Sequence, residues 1–170
     1  MAVVPSQLQI VMYPAAVLRE PAEPVAEVTD TVREVAERML ALMHEAAGVG
    51  LAAPQVGLPW RMFVANHTGE RSDDRVYINP VLKQPGRYTD RAEEGCLSIP
   101  DVRAPIMRPL SVRIEALDRT GGPIADEADD LRARIWQHEV DHLDGVLILD
   151  RMTPADLRAN RRAIAALEGR

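Results

Sequence analysis

Apolar positions follow two periods along this chain, one suited to helices and one to strands. Val32, Val35, Met39 and Leu42 recur at helical spacing and predict an amphipathic helix over 31–47 that buries this stripe. Thr31 with Glu34 reads as its capping box and Gly48 as its stop. Ahead of it, residues 1–24 predict an extended N-terminal arm, because Pro14, Pro21 and Pro24 discourage a helix. Leu8, Ile10 and Met12 alternate there as in a short strand. Apolar runs at 61–66 and 76–82 predict strands joined by a polar turn that exposes His67, and 84–91 reads as a polar loop. Leu110, Val112, Ile114 and Ala116 alternate with Ser111, Arg113 and Glu115, so this strand is half-buried, and 118–122 turns it back as a hairpin.

The helical period returns at 131–145, LRARIWQHEVDHLDG, with acidic Asp129 and Asp130 at its start and Gly145 at its end. Leu131, Ile135, His138 and His142 share one face of it, which is expected to meet the core. Thr153 and Pro154 open a last helix over 154–168, with Leu157, Ile164 and Leu167 on one side and Arg158, Arg161 and Arg162 on another. The expected fold is α+β: mixed or antiparallel strands around a central helix, with an N-terminal and a C-terminal helix. At 170 residues and 46% apolar composition, one domain over 1–170 with one real core is expected.

Charge and cysteine usage narrow the function. A formal net charge of −6 argues against a DNA-binding surface and favours peptides or small molecules as partners. A single cysteine excludes an internal disulfide framework and suits a reducing compartment. The uncharged stretch at the N-terminus is broken by Pro5, Gln7, Gln9 and Pro14, unlike a signal peptide, and no segment suits a membrane span. A cytoplasmic protein is expected.

His138 and His142 lie one turn apart on one helix face with Glu139 beside them, so both rings can reach a single metal ion. Two hydrogen-bonded structural histidines are the bland alternative. A tetrahedral site would need a third protein ligand, and Cys96 in EGCLSIP is a soft anionic candidate, although a lone cysteine is ordinarily a small hydrophobe. GVGLAAPQVG at 48–57 reads first as a tight turn feeding a strand, with Gln55 a lone amide among apolar neighbours. Glu139 fits a general base. A zinc endopeptidase is the rival reading, but many such enzymes take a third ligand downstream of the helix, and no histidine follows His142 here.

GVGLAAPQ at 48–55, EGCLS at 94–98 and HEVDH at 138–142, in that order, resemble the motifs of the peptide deformylases, and the similarity extends from about residue 8 to 150. The resemblance implies an α+β fold and removal of the formyl group from N-formylmethionine on nascent polypeptides. It implies Cys96, His138 and His142 as metal ligands, Glu139 as acid and base, and the Gln55 amide and Leu97 backbone N–H as oxyanion donors. Substrate backbone would align beside Gly50 and Gly95, with Val49, Leu131 and Ile135 as candidates for the methionine pocket and Arg134 and Trp136 flanking that face. The implied metal is Fe2+, with Zn2+ or another divalent ion as substitute. The arginines of the last helix are candidates for ribosome contact. Asp141 is either a partner of the ligand shell or a surface residue.

Overall fold

The computed structural model describes residues 3–169, so the first two residues of the predicted arm lie outside the described residues. The chain forms α1 (Asp30–Glu45), β1 (Gly50–Ala52), β2 (Met62–Ala65), β3 (Arg75–Lys83), β4 (Thr89–Cys96), β5 (Ile99–Pro109), β6 (Ser111–Leu117) and β7 (Pro123–Asp129). It ends with α2 (Asp130–Leu143), α3 (Ile148–Arg151) and α4 (Pro154–Glu168). One antiparallel sheet has the order β1-β2-β3-β6-β7, and β4 and β5 form a separate hairpin.

Alternation along the central strands explains the layering. Met62 and Val64, with Leu51, Val76 and Ile78, face α1 and its residues Val35, Met39 and Met43. Phe63 and Ala65, with Ala52 and Tyr77, face the other way, toward Ala133, Ile135, Trp136 and Val140 of α2. Successive side chains of a strand point to opposite faces, so a sheet covered on both sides needs an unbroken apolar run. MFVA in β2 is that run, and all of it is buried. The third cluster joins Ile99, Val102, Ala104 and Ile106 of β5 to Leu147 and Ile148 and to Leu167 of α4. The last helix thereby braces the hairpin that carries Cys96.

Several local expectations change. The cap of α1 is Thr29, whose Oγ1 accepts the Val32 N–H at 3.4 Å, and Thr31 is already inside the helix. Thr29 wins because it keeps an extended backbone, φ −79° and ψ 172°, as an N-cap requires. Ala47, not Gly48, takes the left-handed turn after α1, with φ 52°. The alternating arm forms no strand. Its Val11 N–H donates instead to the Gln55 carbonyl at 2.7 Å and its Tyr13 N–H to the Ser98 carbonyl at 2.9 Å. The polar loop expected over 84–91 ends in β4, which begins at Thr89. The polar run TDRAEEGC is a strand because its partner β5 supplies the buried residues. Gly145, φ 72°, does follow α2 as expected, where a Cβ would stand 2.5 Å from the Arg19 carbonyl oxygen. Thr153 and Asp156 cap α4 reciprocally. No helix among the described residues is long and apolar enough to cross a membrane.

Replacing Thr29 by Ala is expected to destabilise the protein by about 0.5 to 1 kcal/mol in urea unfolding. The same change at Thr31 is expected to cost less, since Thr31 caps nothing.

Candidate metal centre

α2 presents His138 and His142 from one face toward the end of β4, where Cys96 stands. The ligand atoms of the three lie within 4.8 Å of one another. The two Nε2 atoms face each other at 3.2 Å, and His142 Nε2 is 3.3 Å from Cys96 Sγ. Both contacts fall on His142 Nε2, whose single proton or lone pair cannot serve the two fully at once, whereas one cation shared among the three atoms can. A thiolate with two imidazoles is a donor set suited to zinc or ferrous iron.

Glu94 orients the first of these rings. Its Oε2 lies 3.0 Å from His138 Nδ1, so Nδ1–H donates to it and Nε2 keeps its lone pair for the cluster. Glu94 is buried, yet burial is outweighed by bonds from His138 and Arg108, which hold its carboxyl well below the usual carboxylate range. Arg108, 3% exposed, donates to both oxygens of Glu94, at 2.6 and 2.9 Å, and to Asp141 at 2.8 Å. Arg134 adds a bond to Glu94 at 2.8 Å, and Arg151 donates to Asp141 at 3.0 Å. Asp141, left between two roles by the sequence, is therefore buried in a network that reaches His138 through Arg108 and Glu94.

Burial pushes His138 down, but bonds to Cys96 and Glu94 and the charge of Glu139 more than offset it and raise its pKa to about 10. The same field favours any positive charge at Nε2, proton or metal ion. Burial and the neighbouring His138 hold His142 well below the ordinary histidine range.

Glu139 is 3% exposed, and burial, partly opposed by His138, pushes its carboxyl up to about 7. Gly50 makes room for it: a Cβ there would stand 2.3 Å from Glu139 Oε1. Gly48 serves Leu97 in the same way, with Leu97 Cδ1 at 2.7 Å from a Cβ. Gln55 is held by its own turn. Its Oε1 accepts the Ala52 N–H at 2.8 Å, leaving Nε2 to donate to Ser98 Oγ at 3.2 Å and toward Cys96 Sγ at 3.5 Å. The arm's bond to the Gln55 carbonyl fixes the same residue from its backbone.

A cavity of about 500 Å³ opens onto this cluster and is lined by Val49, Gly50, Gly95, Leu97, Leu131 and Ile135, along with Gln55, Cys96, His138 and Glu139. His142 is buried behind it. Leu131, expected on the core stripe, is 51% exposed, because the stripe runs out of the core at the first turn of α2 and into the cavity wall. Trp136 does not flank this cavity: it is fully buried against Tyr77 on the sheet side of α2. Arg134 does line it. His44, in the last turn of α1, lies 2.8 Å from Asp74 in a half-buried pair. Glu94, Arg108 and Ser98 escaped the sequence reading. Glu94 and Ser98 lie inside EGCLS, but nothing in local sequence marks Arg108 as the partner of Glu94.

A family model described as polypeptide deformylase matches residues 7–158. The chain belongs to the polypeptide deformylase family. Deformylases of this family are metal-dependent hydrolases that take the N-formyl group from newly made polypeptides. A peptide deformylase of Rhodopirellula baltica is 44% identical over 89% of this chain and 76% of that protein. One of Chromohalobacter salexigens is 44% identical over 88% of both. Among solved structures, a plant peptide deformylase superimposes with a TM-score of 0.94 at 37% identity, covering 99% of this chain and 93% of that one. A Plasmodium falciparum peptide deformylase gives a TM-score of 0.92 at 34% identity and 95% coverage of both. The deformylase fold thus accounts for the two-sided sheet, the separate hairpin and the helix between them.

Arg108→Leu is expected to destabilise this deformylase by about 3 to 5 kcal/mol, since it strips a buried cation from Glu94 and Asp141. Denaturant titration measures it, and metal affinity should fall in parallel as His138 loses its orienting carboxylate.

Proposed function

We propose that the chain is one catalytic unit in which Cys96, His138 and His142 hold a divalent ion, Fe2+ natively with Zn2+ or another ion as substitute. The observation that carries this reading is the convergence of a thiol and two Nε2 atoms at the foot of a cavity flanked by Gln55 and Glu139. Bound there, the ion supplies a Lewis acid that polarises the formyl carbonyl and lowers the pKa of water toward neutrality.

Glu139 takes the proton of the attacking water and passes it to the leaving amine. A carboxyl poised near neutrality, in a dry pocket against Gly50, suits both transfers. As the formyl carbon becomes tetrahedral, its oxygen gains charge and is met by Gln55 Nε2 and the Leu97 backbone N–H. Gln55 is held ready for this by Ala52, so little reorganisation is needed, and such a donor contributes roughly 3 to 4 kcal/mol.

The substrate backbone extends β1 at its free edge. Asn66 N–H donates to the Val49 carbonyl across the β1–β2 ladder. The alternation of an antiparallel pair then turns the polar groups of Gly50 toward the cavity. Gly95 lies on the opposite wall, and Val49, Leu131 and Ile135 surround the methionine side chain. The reaction takes place in the cytoplasm on emerging formylated chains. Arg158, Arg161 and Arg162, all exposed on α4, meet ribosomal RNA.

Formate release from a formyl-Met tripeptide by anaerobically prepared, Fe2+-loaded protein tests the reading, with an acetyl-Met peptide expected to be inert. Glu139→Ala should retain one equivalent of metal and lose activity by about a hundred- to ten-thousand-fold. One equivalent of metal without formate release, whatever the divalent ion, would refute it. For the α4 contact, cosedimentation with ribosomes should weaken when Arg158, Arg161 and Arg162 are all changed to Glu, and unchanged pelleting would remove it.

A further inference from the structure

A second cavity, of about 310 Å³, lies beside the first and is lined by Ala65, Tyr77, Ile124, Arg132, Ile135 and Trp136, among others. Ile135 is the one described residue that lines both. Helical geometry explains this. Leu131, Arg134 and His138 line the first cavity while Arg132 and Trp136 line the second. At 3.6 residues per turn, Ile135 falls on the ridge between those two faces.

The sheet repeats the division. Gly50 lines the first cavity, and its register partner Ala65 lines the second. A glycine and an alanine contribute almost no side chain to a partition, whereas Ile135, 4% exposed, belongs to the same packed cluster as Ala65. The divide is therefore made by this aliphatic side chain together with Glu139, whose carboxyl fills the space over Gly50, and β-branching in a helix leaves the Ile135 side chain essentially one rotamer. Of the charged residues that also line the second cavity, Arg132 pairs with Asp126 at 3.1 Å, Arg75 lies 3.9 Å from Asp73, and Asp118 accepts the N–H groups of Thr120 and Gly122.

We infer that Ile135 is a specificity-determining residue that closes the inner end of the substrate side-chain pocket against a second cavity able to take a longer straight aliphatic chain. This rests on the first cavity being the formyl-peptide site. Methionine ends at the Ile135 wall. Removing the wall's branches joins the two cavities, and an unbranched chain would then run on against Ala65, Tyr77 and Trp136.

The test compares kcat/KM for formate release from two otherwise identical formyl peptides, one beginning with methionine and one with 2-aminodecanoic acid. The ratio of the two on one preparation does not depend on the fraction of protein folded or metal-loaded. Ile135→Ala is expected to raise the decanoic-to-methionine ratio at least about tenfold over the unchanged chain, the scale on which apolar pockets discriminate chain length. If Ile135→Ala does not fold, Ile135→Val, which removes one methyl-sized group, is expected to raise it about threefold. An unchanged or falling ratio would overturn the inference, as would an unchanged chain that already accepts both substrates equally. Failure of the unchanged chain on formyl-Met would instead count against the proposed function.

Discussion

The histidines of the cluster stand on α2 and its cysteine on the β4–β5 hairpin, two parts that share no sheet, and the buried cation of Arg108 holds them in register. From β5 it grips Glu94 on β4 and Asp141 on α2 at once. Glu94 in turn orients His138, two residues from Cys96 along the hairpin. A buried carboxylate pair would be unstable without that guanidinium, because neither charge has water to solvate it. The network thus fixes geometry more than it adds stability. Its fork of donors makes the angle between hairpin and helix a discrete state, and the distance between the sulfur and the ring nitrogens follows from that angle.

The five-stranded sheet supplies the rigid floor for this arrangement. Its α1 face is ordinary core, filled by methionine, valine and leucine. Its α2 face is different, since there the packing gives way to polar groups at the edge strand β1. Gly50 is the hinge of that change: its missing side chain admits the Glu139 carboxyl, and its backbone is turned to the cavity. One glycine therefore serves a buried acid and an open strand edge together. The arm adds a clamp from outside, tying Gln55 and Ser98 through consecutive odd-numbered backbone donors, Val11 and Tyr13.

Much of this was legible in the chain. Helix α1, strands β2, β3 and β6 and helix α4 announce themselves by period and by caps, because each buries one face or stripe and the composition must follow. The HEVDH helix was equally plain, and helical spacing alone put both histidines on one side. What periodicity misplaced were residues whose burial depends on a partner distant in sequence. Leu131 keeps the helical period and still lies half in the open, because it stands in the first turn of α2 and the buried part of that helix begins only at Ala133. The polar run of β4 gave no strand signal, since β5 provides the apolar contacts for the hairpin.

By itself, the sequence singled out side chains that the fold brings together: a lone thiol, two histidines at helical spacing, an adjacent acid and an amide in a glycine-rich turn. Local rules suffice for these, as they concern residue type and near neighbours. Only the tertiary structure decided that Glu94 and Arg108 stand behind His138, that Gly50 shelters Glu139, and that Ile135 lines two cavities at once. Each of those facts joins elements far apart in the chain. Ion pairing, close approach and cavity walls depend on distances in space, and those exist only once the helix, sheet and hairpin have packed.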